Sequence, residues 1–323
     1  MEFTELEIPV PEPLVEECVA LWDRVFGGRH GDAARPILLG EETNHNHDWL
    51  YVATDGSQLV GTAHLTIPCS RPELGGLGEV SVDPQFRRSG IATTLCGRAR
   101  ERFVSSGGKA VFLGTVNSEA RRIYHRLGWR KLASATVMAM VDGERTPEEF
   151  LVDHFRAAGA PATTVVVPGT ADDRIPMIPL LLQPHDWHVL DTNAGHVSTR
   201  YAVQDWCMSL YPHYEELRGK GGNWFALRTT EGRLVGLASV ACYGDCMRVD
   251  AMTHPRYIQR WEDLLVAAMG WSREQSVSSI EAFVAAVDED KRARFEALGL
   301  RVDGEATGHR FPGLDASVLR LLA

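Results

Sequence analysis

One interval recurs in this chain and limits what it can fold into. Pro84 to Gly128 spans 44 positions, and Pro255 to Gly299 spans the same 44, offset by 171 (255 − 84). At that offset Phe112 meets Phe283 and Val116 meets Val287. Leu59-Val60-Gly61 follows the turn Thr54-Asp55-Gly56, and Leu234-Val235-Gly236 follows Thr230-Glu231-Gly232. Val82-Asp83-Pro84 answers to Thr253-His254-Pro255, and Leu127-Gly128 to Leu298-Gly299. An internal repeat is the simplest reading. A length of 323 residues suits two domains of ordinary size. The expected boundaries are an N-terminal domain over 1–144, a Pro-containing connection over 145–184 and a C-terminal domain over 185–323.

Hydrophobic patterning predicts the elements of the first copy. Residues 1–8 alternate weakly, as a strand would, and Leu14, Val19, Leu21, Trp22 and Phe26 mark a helix face. Leu50–Ala53 and Leu59–Ile67 read as a hairpin, and Gly78–Val82 as the next strand. Ile91, Leu95, Ala99 and Phe103 recur every four residues on one helical face, which Gly107 and Gly108 end. Val111–Val116 is a short apolar strand, and Asn117 can cap a helix carrying Ala120, Ile123, Tyr124 and Leu127. Thr136–Val141 is a final strand. The expected order is β-α-β-β-β-α-β-α-β.

Composition excludes several classes. With 33 basic and 43 acidic residues the formal net charge is −10, which disfavours nucleic acid and anionic membranes as partners. A small cationic substrate would be drawn in. Six cysteines in a chain this long read as reduced thiols of a cytoplasmic protein, and Cys242/Cys246 lacks the second pair a zinc site needs. No metal is expected. The opening MEFTELEIPVPEP has no apolar core for a signal peptide, and no apolar run is long enough to span a membrane.

The chemistry concentrates between the predicted strand and helix, at Arg87-Arg88-Ser89-Gly90-Ile91-Ala92, with Thr93 completing the first turn. A helix start leaves backbone N–H groups unpaired, and with the helix dipole they suit a pyrophosphate. The arginines add charge-assisted contacts. Arg87 to Ala92 matches the loop Arg/Gln-x-x-Gly-x-Gly/Ala, preceded by Val80-Ser81-Val82-Asp83-Pro84 and followed by Asn117-Ser118-Glu119-Ala120-Arg121-Arg122-Ile123-Tyr124-His125-Arg126-Leu127-Gly128-Trp129. This combination resembles the GCN5-related N-acetyltransferase (GNAT) family over about residues 50–141. The resemblance implies an α/β (α+β) fold, here two tandem domains, each a mixed, mainly antiparallel central sheet flanked by helices.

It also implies acetyl-CoA as donor and a primary amine as acceptor, joined by direct attack on the thioester. Val80, Ser81 and Val82 would then pair with the pantetheine, and Asn117 would lie near it. Three requirements follow. An alkyl ammonium must lose a proton before attack, the carbonyl oxygen needs a backbone donor near Val82, and the leaving thiolate needs a proton source or a hydrogen-bond donor. Tyr124 is the expected acid. Phe112 stands where some relatives carry a glutamate base, so Glu79 is the next candidate. Alternation sets Glu79 and Ser81 on one strand face and Val80 and Val82 on the other. An exposed strand carboxylate is its bland alternative. His64 reads as a satisfied strand histidine that can also reach the cleft. Asn44-His45-Asn46-His47-Asp48 reads as a polar loop before the second strand, with metal ligation or acceptor contact as alternatives.

The second copy loses these features. Arg87–Ala92 falls on Ile258-Gln259-Arg260-Trp261-Glu262-Asp263, so tryptophan replaces the glycine and two acids follow; Tyr124 falls on Phe295 and Glu79 on Asp250. The C-terminal half is therefore expected to be degenerate, lining the acceptor pocket, stabilising a homodimer or binding another ligand. The expected activity is acetyl-CoA-dependent N-acetylation of a small amine such as an antibiotic, amino sugar, polyamine or biosynthetic intermediate. The alternatives are an acyl-CoA-binding regulatory module and a protein N-terminal or lysine acetyltransferase.

Overall fold

A computed structural model describes residues 1–27, 30–156, 163–203, 210–275, 277–306, 308–311 and 315–323. Its contacts divide the chain into two compact units. The first takes Met1–Val152 with Arg174–Pro176, and the second takes Asp153–Asp173, Met177–Gln204 and Ser209–Ala323. Residues 145–184, expected as a connection, are thus shared out between the units.

The first unit runs β1 (Glu2–Glu7), α1 (Glu12–Phe26), α2 (His30–Leu38), β2 (Asn46–Asp55), β3 (Gln58–Pro68), β4 (Leu74–Val82), α3 (Ile91–Ser105), β5 (Ala110–Gly114), α4 (Ser118–Arg126), β6 (Arg130–Lys131) and β7 (Val137–Val141). The strands form one sheet in the order β1-β2-β3-β4-β5-β7-β6. Every pair is antiparallel except β4 with β5. Alternation along β2 loads both faces. Trp49, Tyr51 and Ala53 join the core under α3 with Leu95, Ala99 and Phe103, whereas Leu50 and Val52 join Val15, Leu21 and Trp22 of α1. Patterning missed α2, which carries Pro36 inside it, and the two-residue β6. Val116, expected in a strand, lies beyond β5 and is exposed.

After α5 (Pro147–Arg156), the second unit builds β8 (Thr164–Pro168), α6 (Met177–Leu182), β9 (Val189–Asp191), β10 (His196–Val197), α7 (Leu210–Gly219), β11 (Asn223–Thr229), β12 (Leu234–Tyr243), β13 (Cys246–Thr253), α8 (Trp261–Glu274), β14 (Ser279–Ala285), α9 (Glu289–Ala297), β15 (Arg301–Glu305) and β16 (Val318–Leu322). Its large sheet reads β8-β11-β12-β13-β14-β16-β15, with only β13 and β14 parallel. This is the first unit's order, strand for strand. The repeated glycine of Leu-Val-Gly has a packing cause. A Cβ on Gly61 would meet Ile91 Cγ2 at 2.7 Å, and one on Gly236 would meet Leu264 Cδ1 at 2.8 Å. In each unit the helix after the fourth strand of the sheet needs a bare backbone beneath it.

Candidate active site

The first unit's parallel pair opens along its length. β4 bonds to β5 through Leu74, Gly75 and Gly76 only, while β3 follows β4 out to Val82. One edge of Leu77–Val82 is therefore left without a strand partner among the described residues. At the end of that edge a short 3₁₀ turn, Pro84–Phe86, leads into Arg87. Arg88 (φ 65°) and Gly90 (φ 86°) are both left-handed, and Gly90 is the N-cap of α3 without any side-chain cap. Alternating handedness points successive N–H groups to one side, and the first-turn amides of Ile91, Ala92 and Thr93 continue them. Arg87 to Gly90 are exposed, and a Cβ on Gly90 would meet nothing within 4 Å. Glycine is required there by its φ, and the space before it is open.

Glu79 stands on the same strand at a bulge. The β3–β4 register passes from Thr62↔Ser81 to His64↔Gly78, so Glu79 and Val80 together oppose Ala63. Glu79 takes up the extra residue with φ 47°, a left-handed conformation costly for a residue with a Cβ. The expected facing holds across the bulge. Val80 and Val82 pack on the α3 core, while Ser81 lies within 2.8 Å of the Thr62 hydroxyl on the other side. That hydroxyl donates to the Glu79 carbonyl at 2.6 Å and accepts from Trp22 Nε1 at 2.8 Å.

His64, expected as a satisfied strand histidine with reach toward the cleft, sits between two carboxylates. Its Nδ1 is 3.0 Å from Glu79 Oε2 and its Nε2 is 2.8 Å from Asp48 Oδ1. Burial opposes charge on the ring, but the two carboxylates outweigh it and push the imidazole up to about 9. Asp48 also accepts from Thr66 Oγ1 at 2.6 Å and Arg174 Nη2 at 3.1 Å. Burial raises its carboxyl, yet Arg174, His64 and Thr66 together hold it below the usual range. Arg174 further pairs with Glu42 Oε2 at 3.2 Å. The expected polar loop is thus shorter than read: Asn46, His47 and Asp48 already belong to β2. No cluster of three or more metal-binding side chains occurs among the described residues. Cys18, Cys69, Cys96, Cys242 and Cys246 are free thiols, and Cys207 lies outside the described residues.

Tyr124 projects from α4 into the apolar core with Leu95, Cys96 and Trp129. Burial, with a smaller contribution from Cys96, raises its phenol far above the ordinary range, so the proton stays on oxygen. Asn117 caps α4, accepting from Glu119 N at 2.9 Å and Ala120 N at 3.2 Å. Phe112 is buried in β5 against Phe150.

The second unit fills the equivalent opening with its own chain. β13 bonds to β14 only through Cys246, Met247 and Arg248. Beyond that point Thr192 N donates to Asp250 Oδ2 at 2.8 Å. Asp288, at the Asn117 position, accepts from His188 N at 2.7 Å and Val189 N at 3.0 Å and caps nothing on its own helix. Lys291 Nζ binds Asp250 Oδ1 at 2.7 Å and the carbonyls of Val189 and Leu190 at 3.1 and 3.0 Å. The bend has changed as well. A 3₁₀ segment, Pro255–Arg260, runs straight into α8. Trp261 is therefore the first helical residue and not the bend itself, a one-residue shift from the constant offset. It is wholly buried, and its Nε1 donates to the Ala251 carbonyl at 2.6 Å.

Residues 15–129 match the profile of the Acetyltransferase (GNAT) family, so the first unit carries a domain of that family. Among solved structures the chain is similar to a phosphinothricin acetyltransferase of Sinorhizobium meliloti in complex with acetyl-CoA, at 15% identity, over 50% of this chain and 88% of that one, with a TM-score of 0.40. It is also similar to a spermidine/spermine N-acetyltransferase of Vibrio cholerae (12% identity, 50% and 94% covered, TM-score 0.39). A third likeness is a ribosomal-protein-alanine N-acetyltransferase of Brucella melitensis (15%, 49% and 98%, TM-score 0.38). No curated protein matches the sequence. Among the described residues no helix is long and apolar enough to cross a membrane.

Proposed function

We propose that the first unit binds acetyl-CoA and transfers its acetyl group to a primary amine of a small molecule. The observation that carries this reading is the uncapped, doubly left-handed start of α3 beside the stretch of β4 that β5 leaves without a strand partner among the described residues. The amides of Arg87–Thr93 would take the diphosphate, and the backbone of Val80–Val82 the pantetheine. A backbone donor on that edge would meet the acetyl carbonyl, where negative charge develops during attack. Glu79 would receive the proton the ammonium must lose, directly or through water. Tyr124, protonated at rest, would give that proton to the departing thiolate and recover one from solvent as Glu79 gives up the proton it received. The products are the N-acetyl amine and the free thiol. A net charge of −10 favours a cationic acceptor and gives no attraction to nucleic acid or to an anionic membrane. A cytoplasmic setting, with acetyl-CoA at hand and thiols reduced, fits the same reading, and the second unit is its tandem, degenerate partner.

Calorimetric titration with acetyl-CoA tests the first half of the proposal, with one site per chain expected. Thiol release with spermidine, kanamycin, glucosamine, benzylamine, an alanine-initiated peptide and a lysine peptide tests the second. Turnover of one of the four small amines is the expected result. Turnover of a peptide alone would make the protein a protein acetyltransferase. Tight binding without any turnover would make it an acyl-CoA-binding module.

A further inference from the structure

Behind Glu79 runs a line of buried charge. Glu79, His64, Asp48, Arg174 and Glu42 succeed one another through contacts of 3.0, 2.8, 3.1 and 3.2 Å. Such a line is expensive to bury, and apolar side chains would join β2 to β3 without that cost. Its two ends, Glu79 and Glu42, are each 14% exposed, against 2% for His64, 1% for Asp48 and 5% for Arg174 between them. Both ring nitrogens of His64 are engaged by carboxylate oxygens. The ring therefore cannot itself take a proton from an acceptor, and whatever it does for the reaction passes through Glu79.

We propose that Asp48 and His64 are positioning residues for Glu79. Asp48, held by Arg174 and Thr66, fixes the plane of the His64 ring, and the ring fixes one oxygen of the Glu79 carboxylate at the bulge and keeps it ionised. This inference rests on the acetyl transfer proposed above. The proton account is simple. The resting line holds three carboxylates and two cations, the imidazolium and the guanidinium, and so one net negative charge. A proton arriving from the ammonium goes onto Glu79 and makes the line neutral, while His64 keeps both of its own. Among the described residues the charged groups bonded to the ring are Asp48 and Glu79, with Arg174 and Glu42 beyond Asp48. The hydroxyls of Thr62 and Ser81 bond to each other, Thr62 also accepts from the Trp22 indole, and Thr66 donates to Asp48.

Two measurements test the inference, and they fail separately. The first needs no acceptor. Histidine NMR of the full chain should find His64 charged until the pH nears 9, with its midpoint falling in both Asp48→Asn and Glu79→Gln. A wild-type midpoint in the ordinary histidine range overturns the proposal. The second uses acetyl-CoA and the best amine of the panel. In His64→Gln and Asp48→Asn, kcat should fall about tenfold or more, while KM for acetyl-CoA stays within about twofold. The acid limb of kcat/KM should move up by about one pH unit, because a cation beside a carboxylate favours its ionised form. Variants that melt earlier but keep the wild-type limb would show a merely structural role and overturn the proposal. If the wild type acetylates no amine, the proposed function fails, and the NMR result alone decides whether the two carboxylates hold the ring charged. If Asp48→Asn does not fold, Glu79→Gln, at a partly exposed end of the line, carries the NMR test.

Discussion

The two units share a strand order and part company at two backbone positions. In the first, β4 bulges at Glu79 and the bend before α3 holds two left-handed residues. In the second, β13 pairs with β12 from Cys246 to Thr253 without a register shift, and no described residue from Pro255 to Arg260 is left-handed. A bulge and a left-handed non-glycine each carry a conformational cost. The unit that keeps them is the one with an open strand edge and uncapped amides. The unit that lost them has closed the same edge with its own residues 187–192. Shedding local strain and shedding a ligand site went together, as expected if the ligand were the reason for tolerating the strain.

The hardest test of that contrast is to exchange the two bends. Gly90→Trp should abolish acetyl-CoA binding, with affinity falling below detection in calorimetry, because the side chain enters the space the diphosphate would use. Trp261→Gly should create no second site, since Lys291, Asp288 and Asp250 still hold the residues that fill the second opening. Binding retained by the first variant, or gained by the second, would break the comparison.

The plug itself is tested by Lys291→Met. Removing the ammonium leaves Asp250 buried and unpaired, and losing one partner of such a pair costs about 3 to 5 kcal/mol. Burial already raises the Asp250 carboxyl to about 6 against the pull of Lys291, and without the ammonium it rises further. The penalty should therefore shrink as the pH falls and the carboxyl takes a proton. Denaturant unfolding at pH 5 and pH 8 would show this, and acetyl-CoA affinity should be unchanged at pH 8. Tyr124→Phe is smaller in structural terms. It should lower kcat about 100-fold or more if the phenol protonates the thiolate, with the melting temperature little changed. Phe295→Tyr, its counterpart, should add no activity.

Much of this was legible from residue order. The strands from Leu50 to Val82, the helix from Ile91 and the Asn117 cap follow from patterning, and the 171-residue offset anticipates the matching sheets. The bulge was not legible, because alternation of Glu79, Val80, Ser81 and Val82 reads the same with an extra residue opposite Ala63. Arg174 was missed for another reason. It reaches Asp48 across 126 positions, and no local period encodes such a pair. Trp261 sits one residue from its expected place because a 3₁₀ segment leading directly into α8 replaced the left-handed bend.

The finest test compares histidines, whose environments differ in sign between the units. His64 of the first unit is pushed up to about 9, whereas burial lowers His185, His196 and His254 of the second to about 4. A histidine with a raised value binds its proton more tightly when folded. Its stabilising contribution is whole below about 6.5 and is lost as the pH climbs through 9. A histidine with a lowered value behaves in reverse. Its contribution is whole above about 6.5 and is lost as the pH falls toward 4. Hydrogen exchange on the full chain should therefore show β2 and β3 opening more readily between pH 7.5 and 9.5, after correction for the intrinsic rate. The segments around His185, His196 and His254 should instead loosen between pH 6.5 and 4.5. His64→Gln should remove the alkaline change in the first unit and leave the acid change in the second. An alkaline response that survives that substitution would mean the charged His64 is not what distinguishes the first unit's response to pH.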